Sequence, residues 1–314
     1  MNELPPKFSL VVATIGRTAQ LARLLETLRL QSCQSFEVIV VDQNPPGYLA
    51  ATLAAFQSCF PILHLRSEPG LSRARNAALG HLRGEFVAFP DDDCWYPQGL
   101  LQSVARGLEK HPEWDGLTGV LADPAYPEGF SWFHKTGGTI DFSNLWCRST
   151  SVTIFLRRTV VEKVGEFDEN LGRGARTGLT SAEESDYLIR ALLQGCSIFY
   201  SPDLRVFHRA WRSEDKRQIG LAFGDSRALG GVLRKYRYPR FFVLHKLTRS
   251  GGGMAWYALR GNLARARYHW HTFHGLLLGW LSNQWRPASS LRESSAGQSQ
   301  WARSWYRAGA DFEA

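Results

Sequence analysis

Short apolar runs alternate with amphipathic stretches along the first 120 residues of the chain. Four runs have the length of strands and little polar alternation, which is typical of strands covered on both faces: 8–13, 36–41, 62–65 and 85–89. Residues 18–30 and 71–82 have the pattern of helices, and Thr18 is the expected N-cap of the first helix. This repetition of strand and helix predicts a parallel α/β sheet.

Polar residues follow all four runs at the point where each predicted strand ends. Thr14 and Arg17 follow the first run, Asp42 follows the second, the turn at 67–70 follows the third, and three consecutive aspartates at 91–93 follow the fourth. Ligands of open α/β sheets bind beyond the carboxyl ends of the strands. We therefore expect these side chains to lie together at a binding edge of the sheet.

The aspartate triplet, Asp91, Asp92 and Asp93, predicts a divalent metal site. Neighbouring carboxylates repel one another unless a positive charge lies between them. Their hard oxygens favour Mg²⁺ or Mn²⁺, ions that often also hold substrate phosphates. The alternative is a solvated acidic turn that caps a helix beginning near Pro97.

Three further segments carry groups that could act in the same site. Residues 67–76 join a turn, a helix start and two arginines, Arg73 and Arg75, which make a suitable cradle for a diphosphate or an ordinary helix cap with exposed arginines. Glu183 and Glu184 open an amphipathic helix, where the helix dipole favours acids and where one carboxylate could act as a general base. His208 follows a short apolar pair and is either structural or a ligand.

The C-terminal third is strongly basic. Residues 203–314 contain 19 Lys and Arg against 7 Asp and Glu, whereas residues 1–202 contain 18 against 22. From Met254 onward, large apolar residues recur at helical spacing and predict one stripe on one helix: Trp256, Leu259, Leu263, Ala266, Trp270, Phe273, Leu277 and Trp280. The pattern is typical of a helix at an anionic membrane surface, and packing on the rest of the chain is the alternative.

The chain has no obvious secretory or membrane-spanning segment. Its five cysteines are scattered without a C-x-x-C pair, which favours a reducing compartment. The N-terminus runs directly into the first predicted strand, and no apolar stretch is long enough to span a bilayer. A P-loop and a G-x-G-x-x-G motif after the first strand are also absent, so we expect a cytoplasmic protein without those cofactor loops.

Seven ordered segments resemble family 2 glycosyltransferases of the GT-A fold. They are FSLVVATIGR, FEVIVVDQN, SEPGLSRARNAAL, GEFVAFPDDDCWYP, VGEFDENLG, AEESDYLIRALLQG and SPDLRVFHRA, and they cover roughly residues 8–210. The resemblance implies a Rossmann-like mixed sheet flanked by helices in residues 1–210. We expect a helical, basic, membrane-associating region at 211–286 and a mobile tail at 287–314.

The resemblance also implies a chemistry: inverting transfer of a sugar from a nucleotide-diphospho-sugar to an acceptor hydroxyl, with Mg²⁺ or Mn²⁺. It implies that the donor is bound by Thr14, Arg17, Asp42, Arg73, Asn76, Asp91 and Asp92. Asp91, Asp93 and His208 match positions that hold the metal. Glu184 matches the usual base, an aspartate in the family, so its longer side chain leaves Glu183 as an alternative.

Many enzymes of this kind build bacterial surface polysaccharides on lipid-linked acceptors. We therefore expect a peripheral protein on the inner face of the cell membrane that does not bind nucleic acid. Two other functions stay open: a metal-dependent phosphohydrolase, which would need more metal ligands, and a basic nucleic-acid-binding protein. The shared face of tryptophans and leucines argues against the latter, because aromatic residues that stack on bases interleave with basic ones.

Overall fold

The computed structural model describes residues 5–209 and 213–282. The chain divides into two compact units, one formed by Met1–Phe167 with Tyr187–Ala210 and the other by Asp168–Asp186 with Trp211–Ala314. The second unit thus includes a segment that the predicted division at residue 210 assigned to the first part. The predicted tail at 287–314 lies outside the described residues.

The described part of the first unit is built on one mixed sheet of nine strands. Their bounds are β1 Phe8–Thr14, β2 Phe36–Asp42, β3 Ile62–Arg66, β4 Phe86–Ala88, β5 Cys94–Trp95, β6 Gly116–Ala122, β7 Gly138–Thr139, β8 Ile154–Arg157 and β9 Ile198–His208. The strand order is β3-β2-β1-β4-β8-β6-β9-β5, and β7 pairs with β9.

The first four strands of this unit are parallel, as the apolar runs predict. β1 lies between β2 and β4, and β2 also pairs with β3. Every residue of β2 is buried, which explains its uninterrupted apolar pattern. The expectation that 62–65 is covered on both faces is wrong, because β3 is the edge strand and Leu63 is exposed.

The other half of the sheet contains antiparallel pairs. β8 runs antiparallel to β4 and β6, and β9 runs parallel to β6. The short β5 runs antiparallel to the end of β9, which pairs Cys94 with His208. The mixed sheet flanked by helices is confirmed, and this last pairing joins the aspartate triplet to the histidine.

Helices flank the sheet and connect its strands. Their bounds are α1 Thr18–Arg29, α2 Ala50–Ala54, α3 Leu71–Leu79, α4 Leu100–Lys110, α5 Arg158–Val164 and α6 Glu183–Leu193. α1 buries four leucines at the predicted spacing. The N-cap prediction is wrong: Arg17, in extended conformation, occupies the cap after Gly16 turns the chain with a φ of +69°, and Thr18 is already helical.

The second unit contains three long helices, α7 Lys216–Lys235, α8 Arg240–Leu259 and α9 Leu263–Leu281. The single apolar stripe predicted from Met254 onward is wrong. The chain turns at Gly261, whose φ of +72° favours glycine, so the stripe is divided between two helices. Ala266 is buried, whereas Leu259 and Leu263 are exposed.

α7 and α9 pack against each other through glycines. A Cβ atom at Gly279 would overlap the carbonyl oxygen of Arg227, and one at Gly275 would overlap that of Phe223. Such close approach of two helix backbones requires residues without side chains. Among the helices that the structure describes, none combines the length and apolar character needed to cross a bilayer.

Candidate active site

Arg17 joins two aspartates of the triplet at the carboxyl end of β1. Its Nη1 lies 2.6 Å from Asp92 Oδ1 and 2.5 Å from Asp93 Oδ2. Thr14, the last residue of β1, donates its hydroxyl to Asp92 Oδ2 at 2.7 Å. Arg17 thus supplies the positive charge that the neighbouring carboxylates of Asp92 and Asp93 need between them.

Asp92 is the buried member of the triplet. Burial raises the pKa of its carboxyl to about 6, since loss of hydration outweighs the stabilising charge of Arg17 and the hydrogen bond from Thr14. Both of its carboxylate oxygens are hydrogen-bonded within the protein. Asp92 therefore fixes the loop that follows β4, and its predicted contact with the donor stays a prediction.

Asp93 faces His208 across the β5–β9 pair. His208 Nε2 lies 3.2 Å from Asp93 Oδ1, and its Nδ1 lies 2.8 Å from the carbonyl oxygen of Arg209. Although burial works in the opposite direction for both groups, their hydrogen bond lowers the pKa of Asp93 and raises that of His208. The antiparallel strand pairing thus brings together two of the three predicted metal ligands.

The residues present fit a divalent cation in their chemistry. Asp91, Asp93 and His208 offer two carboxylates and an imidazole, which are donor types found at Mn²⁺ and related sites. The charge of Asp91 also contributes to the raised pKa of His208, so the three groups share one electrostatic environment. Within residues 5–209 and 213–282, no three carboxylate, histidine or cysteine side chains already form a metal cage.

Asp42 is the centre of a second cluster at the end of β2. It is fully buried, and its Oδ1 accepts hydrogen bonds from Asn44 N at 2.8 Å and Asn44 Nδ2 at 2.7 Å. His64 Nε2 lies 3.1 Å from Asp42 Oδ2, and Arg66 Nη1 lies 3.6 Å from it. The amide of Gly16 donates to Asn44 Oδ1 at 2.5 Å, which links this cluster to the loop after β1.

Three members of the Asp42 cluster were missed by the sequence analysis: Asn44, His64 and Arg66. The parallel register pairs Asp42 with Arg66, so the end of the third apolar run could have indicated that arginine. His64 lies inside that run and not at its end, so it was not among the residues expected at the binding edge of the sheet. Asn44 closes the segment FEVIVVDQN and follows the strand as candidate binding residues do.

The two arginines of α3 have different surroundings. Arg73, predicted to approach a diphosphate, is half-buried, and its Nη1 lies 3.4 Å from the carbonyl oxygen of Pro69. Arg75 is buried, donates to Ser151 Oγ and lies 3.4 Å from Asp91 Oδ1. The sequence places Arg75 beside Arg73 as a second guanidinium of this segment, and the structure adds its contact with Asp91.

Asn76 holds the backbone of Phe167. Its Nδ2 donates to the carbonyl oxygen of Phe167 at 3.0 Å, and its Oδ1 accepts from the amide of Phe167 at 2.7 Å. Both ends of the side-chain amide are therefore used in connecting α3 to the chain after α5. A role of Asn76 in donor binding stays a prediction.

Glu183 and Glu184 lie in the second unit, in the first turn of α6. Glu183 is buried, Glu184 is half-buried, and Ala182 before them has a φ of +68°. Asp186 in the same turn is fully buried and accepts hydrogen bonds from Lys235 and Tyr236. The structure thus shows a fixed first turn that carries both candidate bases, and the choice between them stays a prediction.

The sequence of residues 9–157 matches the model of glycosyl transferase family 2. One relative is an uncharacterized glycosyltransferase of Haemophilus influenzae, 24% identical over 192 residues, which are 59% of this chain and 61% of that protein. Three matched proteins of Bacillus subtilis are covered over 28–38% of their length. The chain thus spans less than two thirds of these relatives.

Two solved structures have the same fold. One is S. aureus TarS 1-349 in complex with UDP-GlcNAc, which is 19% identical with a TM-score of 0.53 over 86% of this chain and 90% of that one. The other is the mannosyltransferase PcManGT from Pyrobaculum calidifontis in complex with GDP-Man and Mn²⁺, 17% identical, with a TM-score of 0.54 over 98% of this chain and 80% of that one. The comparisons thus support a family 2 glycosyltransferase domain over residues 9–157, and the fold is that of the GT-A glycosyltransferases.

Proposed function

We propose that this protein is an inverting glycosyltransferase that moves a sugar from a nucleotide-diphospho-sugar to a hydroxyl of a saccharide acceptor. The observation that carries the proposal is the cluster of Thr14, Arg17, Asp92, Asp93 and His208 at the carboxyl ends of β1 and β4. Two proteins of the same fold have been solved with UDP-GlcNAc and with GDP-Man, which supports a donor of this class.

The Asp42 cluster is the proposed nucleoside site. The backbone and side chain of Asn44 hold one oxygen of Asp42, while His64 and Arg66 lie near the other. Because Asp42 itself is fully buried, its carboxylate can contact a base or a ribose only after the exposed His64 or Arg66 side chain moves aside. Arg73, on α3, is the proposed contact of the diphosphate.

Asp91, Asp93 and His208 are the residues that would hold Mg²⁺ or Mn²⁺. The cation, when bound, supplies positive charge that neutralises the departing nucleoside diphosphate. The carbonyl of Arg209 engages the ring nitrogen of His208 that does not face Asp93, which fixes the orientation of the imidazole. Arg17 holds Asp92 and Asp93 at a fixed separation.

Glu184 is the proposed general base, with Glu183 as the alternative. In a single displacement, the base takes the proton of the acceptor hydroxyl while the C–O bond to the diphosphate breaks and the new glycosidic bond forms. Charge develops on the leaving diphosphate, so Arg73 would stabilise the transition state more than the bound donor. Inversion at the anomeric carbon follows from the single step.

The acceptor is proposed to be a lipid-linked saccharide in polysaccharide biosynthesis, with the protein peripheral on the inner face of the cell membrane. The basic composition of residues 226–282, which contain no Asp or Glu, supports this location because the cytoplasmic leaflet is negatively charged. We do not expect the protein to bind nucleic acid.

A thermal-shift screen tests the donor class. The full chain is heated with UDP, GDP, ADP, CDP or TDP, each with and without Mn²⁺, and ligand binding to the native state raises the melting temperature. We expect one nucleoside diphosphate to stabilise the protein selectively and only with the metal. No stabilisation by any of them would contradict the proposal.

The sugar derivatives of the selected nucleotide are then supplied with a soluble saccharide acceptor. We expect a new glycosidic linkage of inverted anomeric configuration by NMR, with release of the nucleoside diphosphate. Release of inorganic phosphate without transfer would favour the phosphohydrolase instead.

A further inference from the structure

Helix α9 has one packed side and one exposed apolar side. Gly275, Leu276 and Gly279 are buried on the side where glycines meet the backbone of α7. The exposed side carries large apolar residues at spacings of seven, eight and three, which places them in one stripe: Leu263, Trp270, Leu278 and Leu281. Of these four residues, Leu263 and Trp270 also belong to the stripe that the sequence predicts, whereas Leu278 and Leu281 do not.

The exposed apolar surface continues around the turn between α8 and α9. Leu259 is 87% exposed and Leu263 is 72% exposed, one on each side of Gly261. Trp256, one turn earlier in α8, is also exposed, and the guanidinium carbon of Arg260 lies 4.1 Å from its ring centroid. Two almost fully exposed leucines at a helix turn are unusual for a surface that meets only water.

The two helices that carry this surface are basic, and a carboxylate beside them, that of Glu214, forms an ion pair with Arg265 of α9. Residues 226–282 contain ten Lys and Arg and no Asp or Glu. Arg249, Arg260 and Arg267 are exposed on α8, at the turn and on α9. A partner that buries the leucines must therefore also present negative charge, and a bilayer of anionic phospholipid has both properties.

We infer that α8 and α9 form a lipid-binding face, made of Trp256, Leu259, Leu263, Trp270, Leu278 and Leu281, that inserts among the headgroups of an anionic bilayer. The inference rests on the membrane location in the proposed function and names the surface responsible for it. The turn at Gly261 enters most deeply, because it carries the two most exposed leucines. The exposed arginines remain at the level of the phosphates.

Sedimentation of the full-length protein with vesicles tests this face. Vesicles of phosphatidylcholine alone are compared with vesicles containing phosphatidylglycerol, at low and high salt. We expect binding only to the anionic vesicles, weakened by salt because the charges are exposed. The double variant Leu259→Ser/Leu263→Ser should lose about tenfold or more in affinity, given the apolar area that it removes from the bilayer.

Matched controls separate insertion from general effects of mutation. Leu30→Ser removes a leucine that is 49% exposed at the end of α1 and should bind vesicles normally. Arg260→Gln/Arg267→Gln should lose about fivefold per arginine, whereas Arg106→Gln/Lys110→Gln, which removes two exposed charges from α4, should lose little. Circular dichroism and the melting temperature check that each variant is folded.

Normal vesicle binding by Leu259→Ser/Leu263→Ser would overturn the inference. A wild-type dimer that dissociates in this variant, with no binding to anionic vesicles, would assign the face to a second copy of the chain instead. The vesicle assay contains no nucleotide sugar. A lack of vesicle binding would therefore not contradict sugar transfer to a soluble acceptor. Failure of transfer with intact vesicle binding would contradict the proposed function alone.

Discussion

Lys235 Nζ lies 2.7 Å from Asp186 Oδ1 and ties the end of α7 to the first turn of α6. The same ammonium lies 3.1 Å from Asp168 Oδ2, and the hydroxyl of Tyr236 donates to Asp186 Oδ1 at 2.8 Å. Asp186 is fully buried, so its negative charge depends on these partners for the solvation that water cannot supply. The turn that they hold carries Glu183 and Glu184.

Lys235→Met should lower the free energy of unfolding by roughly 3 kcal/mol, because it removes the ammonium that lies 2.7 Å from a buried carboxylate. Urea denaturation followed by circular dichroism measures this change. Lys216→Met, at the exposed start of α7, is the matched control and should change stability by less than about 0.5 kcal/mol. Equal effects of the two substitutions would contradict the role of Lys235.

The second ion pair of Lys235, with Asp168, predicts a dependence of stability on pH. Burial opposes ionisation of Asp168, but the charge of Lys235 and the hydrogen bonds from Asn170 and Lys235 lower the pKa of the carboxyl below its ordinary value. A carboxylate with a lowered pKa stabilises the native state above its unfolded pKa of about 4, and this contribution is lost as the pH falls further. The stability difference between wild type and Lys235→Met should therefore shrink below about pH 4. Urea titrations at pH 6 and pH 3 test it, and a constant difference would count against the pairing.

Gly279→Ala should destabilise the second unit by about 1–3 kcal/mol or more. The added methyl group would overlap the carbonyl oxygen of Arg227, so α7 and α9 must move apart. Gly252→Ala is the matched control, because nothing lies within 4 Å of the Cβ it adds to α8. That substitution should instead raise stability by about 0.5–1 kcal/mol, as alanine does in exposed helix interiors. Thermal unfolding of both variants gives the comparison, and a neutral Gly279→Ala would contradict the close packing.

Asp93→Ala should remove the effect of Mn²⁺ on nucleoside diphosphate binding and abolish transfer. Its carboxylate faces His208 and is a proposed metal ligand, so the variant loses charge where the cation would lie. Calorimetry with and without Mn²⁺ measures the effect on binding. Asp203→Ala, an exposed aspartate on β9, serves as the control with unchanged metal dependence. Full activity of Asp93→Ala in the presence of a chelator would exclude the proposed metal site.

Glu184→Gln should leave donor affinity nearly unchanged and lower the transfer rate by about 10²–10⁴-fold, since an amide keeps the shape but accepts no proton. Glu183→Gln is the matched variant one residue away. Steady-state kinetics should show the loss in kcat for Glu184→Gln alone. The reverse result would assign the base to Glu183.

The two central strands β1 and β2 could be predicted from the chain alone, because strands buried on both faces consist of continuous apolar residues. β1, β2 and the helix α1 begin where the pattern predicts. The clustering of Thr14, Arg17 and the aspartate triplet could also be predicted from the sequence, because the carboxyl ends of parallel strands lie at one edge of the sheet.

Which of these side chains pair depends on contacts between distant parts of the chain. Arg17 meets Asp92 and Asp93, and Arg66 meets Asp42, through backbone register and turns that leave no local periodicity in the chain. Such contacts also determine the exposed side of α9, because the glycines that allow α7 to approach lie opposite the apolar stripe. A pattern of spacing identifies an amphipathic helix, but which apolar side is covered depends on the shape of the neighbouring helix.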